Sequence, residues 1–469
     1  MKRTFSLAIL TTLVAGMLAA CGGTPPATAP TKAPATTTGA TTVAATSVAP
    51  AAATSAATAP VAATSVVTAT SVVTAPTVVT APTVVATSVV TATGAGEKII
   101  IASALPRTGS AKGQTDTIVN AIKQRLEEAN YQACNGQFTL EYKDFDDATA
   151  AAGNWDATQV ASNANVIAAD KDIMVVVGHF NSGAAKISMP VLNAVDLVMI
   201  SPANTYPGLT KPGKGTPDEP NVYFPTGKRN YTRVVPADDI QGAAAANWAK
   251  QLGATAVYVL DDTELYGKGI ADIFVATAKT IGLNVLSQES INPKAADYKA
   301  LATKVIAAKA DMVYFGGVTQ NNGGQLLKDL RNEGFTGKFM GPDGIYEQAF
   351  VDAAGPEAAE GAYATFGGQP PEKLTGKGAE WYKNYKAKFG GEPAVYAVYG
   401  YEAANVAVAA INSACKKDRA AIRDAVFATK DFDGVLGKWS FDANGDTSLT
   451  GMSGGVIKGG KFEFAAVLN

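Results

Sequence analysis

The residues best placed to do chemistry in this sequence sit in short polar stretches that directly follow apolar runs. After Ile173–Val177 comes Gly178-His179-Phe180-Asn181-Ser182-Gly183, and after Leu197–Ile200 comes Ser201-Pro202-Ala203-Asn204-Thr205. Backbone amides at a helix start, with Ser or Thr hydroxyls beside them, suit a carboxylate. The same residue types also serve as ordinary helix caps. Further along, Leu260 leads into Asp261-Asp262-Thr263-Glu264-Leu265-Tyr266-Gly267, and Phe339-Met340-Gly341-Pro342 leads into Asp343-Gly344. An acid there can meet an ammonium group or close a turn. These stretches are suited to holding a small charged molecule, with little equipment for breaking bonds. The sequence has a single histidine, His179, so a metal cluster or a His-based acid–base site is poorly supplied. It contains no phosphate loop, nucleophile elbow or paired-cysteine motif. His179 reads as a satisfied structural residue, Asp146-Asp147 as a helix cap, and Asp442, Asn444 and Asp446 as a hairpin turn rather than a calcium loop. No metal and no cofactor are expected.

The elements around these residues alternate between strand and helix. Apolar runs at Lys98–Ala104, Phe138–Tyr142, Ile173–Val177 and Leu197–Ile200 read as strands, with Ile118, Ile122, Leu126 and Ala129 at helical spacing between the first two. The rhythm resumes after Pro236. A helix capped by Asp238 or Asp239 runs to Leu252, followed by strands at Ala256–Leu260, Asn284–Gln288 and Asp311–Gly317 and by helices at Tyr266–Ile281 and Leu301–Ala308. Continuous apolar strands separated by helices indicate parallel sheets covered on both faces. Two similar α/β units follow, with a boundary near Arg233–Pro236; ligands of such sheets bind beyond the carboxyl ends of the strands. Helices are also expected over Gly378–Phe389 and Ala394–Ala414, and strands over Lys438–Phe441 and Gly455–Leu468.

Ahead of these units the composition is different. Lys2 and Arg3 precede an apolar stretch, Phe5–Met17, and then Leu18-Ala19-Ala20-Cys21, an export signal followed by a lipoprotein-type cysteine. Residues 22–96 collapse to Thr, Ala, Val, Pro and Ser, with a near-repeat at 72–83. Recurrent prolines interrupt regular structure, so a surface tether is expected, its ends roughly 50 Å apart as a flexible coil. Stalks of this composition are often O-glycosylated. Of the chain's 39 Lys and Arg residues, three (Lys2, Arg3 and Lys32) precede Glu97, and none of its 41 Asp and Glu residues does; 36 basic residues then face 41 acidic ones, a net charge of −5 from Glu97 onward. That balance points to neither nucleic acid nor an anionic membrane surface. Cys134 and Cys415 permit one disulfide in an exported chain, the alternative being two buried thiols.

Several stretches, in their order along the chain, resemble the type I periplasmic solute-binding proteins, specifically the leucine/isoleucine/valine-binding branch serving ABC transporters. They are Pro106-Arg107-Thr108-Gly109, Gly178-His179-Phe180-Asn181-Ser182, Ser201-Pro202-Ala203-Asn204-Thr205, Val235-Pro236-Ala237-Asp238-Asp239-Ile240-Gln241-Gly242, Tyr266-Gly267-Lys268-Gly269, Gly341-Pro342-Asp343-Gly344 and Phe441-Asp442-Ala443-Asn444-Gly445-Asp446. The resemblance implies two doubly wound, Rossmann-like lobes joined by a three-crossing hinge. Its organisation would be a signal peptide at 1–20, a lipidated Cys21 and tether over 21–96, lobe one at 97–234 and 367–433, and lobe two at 235–366 and 434–469. Cys134 and Cys415 would share lobe one. It implies a bacterial, extracytoplasmic, membrane-anchored monomer that closes on an amino acid and delivers it to an ABC permease; a ligand-sensing receptor for amino acids, amides or small carboxylates is the alternative, and an enzyme fits less well. By the same resemblance Ser182, with Asn181 beside it, binds the ligand carboxylate. Thr205 and the backbone near Asn204 give the second contact, Tyr266 closes from lobe two, and Asp343 pairs with the ammonium. Three departures weaken the case for a branched aliphatic ligand. Asp343 stands where the best-known members have a glutamate, Lys112 falls near the place of a pocket aromatic, and Val318-Thr319-Gln320-Asn321-Asn322 is more polar than its counterpart in leucine binders.

Overall fold

The computed structural model describes residues 86–90 and 96–468. The expected signal peptide (1–20), the lipidation site Cys21 and most of the tether lie outside the described residues, as does Asn469.

The first sheet is built from β1 (Ala86–Val90), β2 (Glu97–Leu105), β3 (Gln132–Ala133), β4 (Phe138–Asp146), β5 (Ile173–Gly178), β6 (Val198–Ser201) and β7 (Tyr231–Arg233). Its order is β1-β4-β2-β5-β6-β7, with β3 against β4. The strands from β4 to β7 run parallel, while β1 and β3 are antiparallel additions. β1 falls within the segment read from sequence as tether; its Val-rich run has the strand propensity to extend an open edge. Helices α1 (Lys112–Glu128), α2 (Ala157–Ala169) and α3 (Ser182–Asn193) connect these strands. β5 shows why the apolar runs were continuous. Val175 and Val177 face one helical layer, with Ile118 and Ile122 of α1, while Ile173 and Val176 face the other, with Met189 and Leu192 of α3.

The chain then builds β8 (Ala256–Asp261), β9 (Asn284–Ser290), β10 (Met312–Gly316), β11 (Lys338–Gly341) and β12 (Tyr363–Gly367), with α4 (Asp238–Gln251), α5 (Leu265–Thr280), α6 (Lys299–Ala307), α7 (Gly323–Asn332), α8 (Gln348–Ala354) and α9 (Pro356–Ala359). It returns to the first sheet with α10 (Lys377–Phe389), α11 (Ala397–Ala414) and α12 (Arg419–Phe427); α11 packs on α1, and α12 lies against β5 and β6. A hairpin, β13 (Phe432–Gly434) and β14 (Gly437–Trp439), precedes β15 (Met452–Lys458) and β16 (Lys461–Leu468). β15 and β16 complete the second sheet, ordered β16-β15-β12-β11-β10-β8-β9. The chain thus passes between the two lobes three times. The hairpin joins neither sheet: Trp439 donates its indole N–H to Glu402 of α11 at 2.7 Å, so the segment just after 434 sits with lobe one and not lobe two.

Cys134 and Cys415 are joined by a disulfide, with Cα atoms 5.6 Å apart and 281 positions between them in sequence. Native disulfides typically contribute about 2–4 kcal/mol, and long loops such as this one lie toward the upper end of that range.

Candidate ligand-binding cleft

Each parallel sheet has a point where the strand order reverses. In the first sheet this lies between β2 and β5, in the second between β8 and β10. Connections leaving the two strands in opposite directions open a crevice there. At the first point Gly178 lets β5 approach β2 closely, because a Cβ would sit 2.5 Å from the Ala104 carbonyl oxygen. At the second, Asp262 accepts hydrogen bonds from the Val318 amide at 3.1 Å and the Asn321 side chain at 2.8 Å, tying the two loops together.

One cavity spans both. Phe180, Asn181, Ser182, Gly183 and Ala203 line it from lobe one, joined by Tyr396 at the start of α11. Glu264, Tyr266, Val318, Asp343 and Gly344 line it from lobe two. Four of the six residues expected from sequence, Asn181, Ser182, Tyr266 and Asp343, are therefore on its wall. The other two lie behind the lobe-one side. Asn204 is wholly buried, its side-chain oxygen bonded by the Tyr231 hydroxyl at 3.1 Å and its carbonyl by Arg233 at 3.2 Å. Thr205 is also buried, and its carbonyl accepts the Asp238 amide at 2.9 Å.

The lobe-one wall suits an anion. Ser182 opens α3, and its hydroxyl lies 3.4 Å from the Tyr206 amide. The amides of Ser182 and Gly183 have no intrahelical acceptor, whereas those of Ala184 and Ala185 bond the Asn181 carbonyl at 3.1 and 3.2 Å. Asn181 holds the cap position without a side-chain capping bond, which leaves its side-chain N–H groups to face a carboxylate; its Oδ1, an acceptor, is buried with no partner among the described residues and awaits a donor.

The opposite side suits a cation. Asp343 accepts from the Gln241 side chain at 2.6 Å, from the Tyr266 hydroxyl at 2.8 Å and from the Tyr396 hydroxyl. The last of these bonds joins lobe one to lobe two. Burial raises the Asp343 carboxyl above the ordinary range, while its three donors act to hold it down. Asp238 is more exposed to that conflict. It is fully buried with the Thr205 hydroxyl beside it as a donor, and burial together with the nearby Asp343 charge pushes its carboxyl well above the usual range. Glu264 is pushed up to about 7 by burial and by the charge of Asp262. No lysine or arginine lines the cavity. Buried polar atoms are rarely left unpaired. Here Asn181 on the cavity wall, and Asn204 and Gln241 behind it, each keep a side-chain atom buried without a partner among the described residues.

Sequence reasoning missed Asp238, Gln241 and Tyr396. Asp238 was expected to cap α4, but Ala237 occupies the cap position and Asp238 is the first helical residue. Its membership of the Asp238–Gln241 pair, one turn apart on α4, was the available signal. Tyr396 carried none: it reads as helix core. Asp147, also expected to cap a helix, instead bonds His179 at 2.5 Å; His179 meets Ser188 at 2.7 Å, and all three are buried. Asp156 caps α2. Asp442 makes the expected turn by accepting the amides of Asn444 and Asp446, while Asp446 turns inward to Arg233.

Residues 98–461 match the model of a family described as periplasmic binding protein. A Leu/Ile/Val-binding protein homolog of Brucella abortus is 30% identical over 355 residues, covering 75% of this chain and 88% of that protein. An amino acid binding protein of Pseudomonas aeruginosa is 28% identical, with the same coverage of both chains, 75% and 88%. Among solved structures, the leucine-binding protein LivK of Thermotoga maritima superposes with a TM-score of 0.70 at 25% identity, covering 79% of this chain and 99% of its own.

Proposed function

The chain belongs to the periplasmic binding protein family, and from that premise we propose that it is the substrate-binding lipoprotein of an ABC importer, capturing an amino acid by hinge closure outside the cytoplasm. The observation that carries this reading is one cavity walled by Ser182 and the start of α3 from lobe one and by the Asp343 carboxylate from lobe two. The ligand carboxylate docks on lobe one, at Ser182, Asn181 and the start of α3, with Thr205 behind. Lobe two then brings Tyr266 and Asp343 against the ammonium, and Asp238 shares that charge. Lys2, Arg3 and the Leu18-Ala19-Ala20-Cys21 stretch support export and lipidation at Cys21, which would hold the protein at the membrane beside its permease. The relatives named above are binding proteins, in keeping with a ligand that is held and released unchanged.

A thermal-shift screen of the purified protein against amino acids, amides and small carboxylates tests the reading. A ligand at a hundred times its Kd should add about 2.7 kcal/mol of stability. If small carboxylates without an ammonium shift the melting point and no amino acid does, the proposal falls.

Asp238 offers a second test. Because its folded-state pKa is raised, its neutral form contributes stability that is fully present below the unfolded value of about 3.9 and is lost as pH rises through the folded value. At neutral pH the ligand-free protein therefore bears a penalty that Asp238→Asn removes. The variant is expected to melt higher than wild type at pH 7.5, to lose that advantage near pH 4, and to bind its amino acid roughly tenfold more weakly, about 1.4 kcal/mol. Scanning fluorimetry at both pH values, with calorimetry at the upper one, reads all three effects.

A further inference from the structure

Beside the cavity lies a second compartment between the lobes, lined by Gln114 and Thr117 of α1, by Tyr346 and Glu347, and by Pro371 and Val395. The two compartments adjoin where Val395 gives way to Tyr396 and where Gly344 leads to Tyr346. Thr319 braces this junction, donating its hydroxyl to the Gly344 carbonyl at 3.3 Å.

The chemistry of this compartment is unusual for a position between two hydrophobic lobes. Gln114 is 2% exposed; its amide reaches the Glu347 carboxylate of the other lobe, and its Oε1 is buried with no hydrogen-bond partner among the described residues. Glu347 is 8% exposed, and its carboxylate accepts from the Gln320 side chain at 3.2 Å, with Thr319 and Gln114 also within reach. The Gln320 oxygen is likewise buried without a partner. Burial pushes the Glu347 carboxyl up to about 7, with Thr319, Gln114 and Gln320 close enough to hold it down. Gln114 belongs to lobe one and Glu347 to lobe two, so closure brings them together. Two buried amide oxygens, of Gln114 and Gln320, stand there without a donor among the described residues, and the one cation on the compartment wall, Lys461, is exposed. An aliphatic side chain entering here would leave those two oxygens desolvated and unpaired, a loss that discriminates against it.

We infer that this compartment reads the ligand's side chain, and that the ligand is an amino acid bearing a hydrogen-bond donor there, a carboxamide or a cation, received by Gln114 and Glu347. The inference rests on the amino-acid reading above and narrows it away from leucine, isoleucine and valine.

Calorimetry of the full chain against glutamine, asparagine, lysine, arginine and leucine tests it. At least one of the four donor-bearing amino acids is expected to have a Kd ten or more times lower than leucine. Gln114→Leu is expected to narrow that ratio at least tenfold. Glu347→Gln keeps the side-chain shape and separates the two classes, costing a cationic ligand at least tenfold and an amide less. Leucine binding as tightly as the polar four, or a ratio that both variants leave unchanged, overturns the inference while amino-acid binding stands. Binding of no amino acid overturns the parent reading and this one with it.

Discussion

Asp343→Ala should weaken amino-acid binding by about ten- to a hundredfold, roughly 1.4–2.7 kcal/mol. The carboxylate is the acceptor on which Gln241, Tyr266 and Tyr396 converge, and its charge is felt by the buried Asp238. Truncation removes the ammonium's strongest partner and strands three buried donors, at about 1–3 kcal/mol for each left unpaired. Alanine therefore lowers stability as well as affinity, and affinity alone would not separate ligand contact from general damage. Asp343→Asn does separate them. It keeps an acceptor for Tyr266 and relieves the like-charge repulsion with Asp238, so its melting point should match or exceed that of wild type while its affinity falls nearly as far as alanine's. Calorimetry and a thermal melt on both variants decide the matter. Unchanged affinity in Asp343→Asn would remove the ammonium contact from this position.

Why Asp343 was legible from sequence and Asp238 was not is a matter of where each sits. Asp343 directly follows a strand, β11, and strand ends of doubly wound sheets face the crevice. Ser182 was legible for the same reason, one turn past β5. Asp238 lies in the first turn of a helix, where acids are common because they complement the helix dipole. Nothing local distinguishes a capping acid from one whose side chain turns into a cleft. Here the choice is made at long range: the backbone amide of Asp238 is taken by Thr205, and Gln241 one turn on is drawn to Asp343. Tyr396 was hidden more thoroughly. It lies 53 positions beyond Asp343, and only the return of the chain to lobe one puts its hydroxyl on that carboxylate.

The apolar strands were readable because burial on both faces leaves no polar alternation, as β5 and β10 show. The hairpin β13–β14 was harder. Its strands have three residues each, too short for a periodicity, and what places it in lobe one is the buried Glu402, which takes the Trp439 indole and the Val435 amide, together with Lys377 on Asp433. Short elements take their position from tertiary partners, and Glu402 lies 37 positions upstream of its partner.

The same dependence on distant partners underlies the largest expected loss of stability, at Arg233. This arginine ends β7 and is wholly buried. Its Nε meets Asp446 at 2.6 Å, its Nη1 donates to the carbonyls of Asn204 at 3.2 Å and Tyr206 at 2.9 Å, and its Nη2 reaches the Thr210 hydroxyl. It thereby clamps the loop carrying Asn204 and Thr205 to the chain that crosses back near Asp446. Arg233→Met preserves much of the volume but leaves Asp446 buried, with Lys211 at 3.9 Å as its nearest remaining cation. Breaking a buried pair from one side costs about 3–5 kcal/mol, and a loss of that size is expected in urea melts at pH 7. Adding Asp446→Asn should restore part of it. The pH dependence carries a further check. Burial alone would raise the Asp446 carboxyl, but the Arg233 guanidinium overrides it and holds the carboxyl below its ordinary value. A lowered folded-state pKa means stability present above the unfolded value of about 3.9 and lost as pH falls through the folded one. The gap between wild type and Arg233→Met should therefore close on acidification below about pH 4. A gap under 1 kcal/mol at pH 7, or one that persists in acid, would show that this buried charge pair does not hold the loop in place.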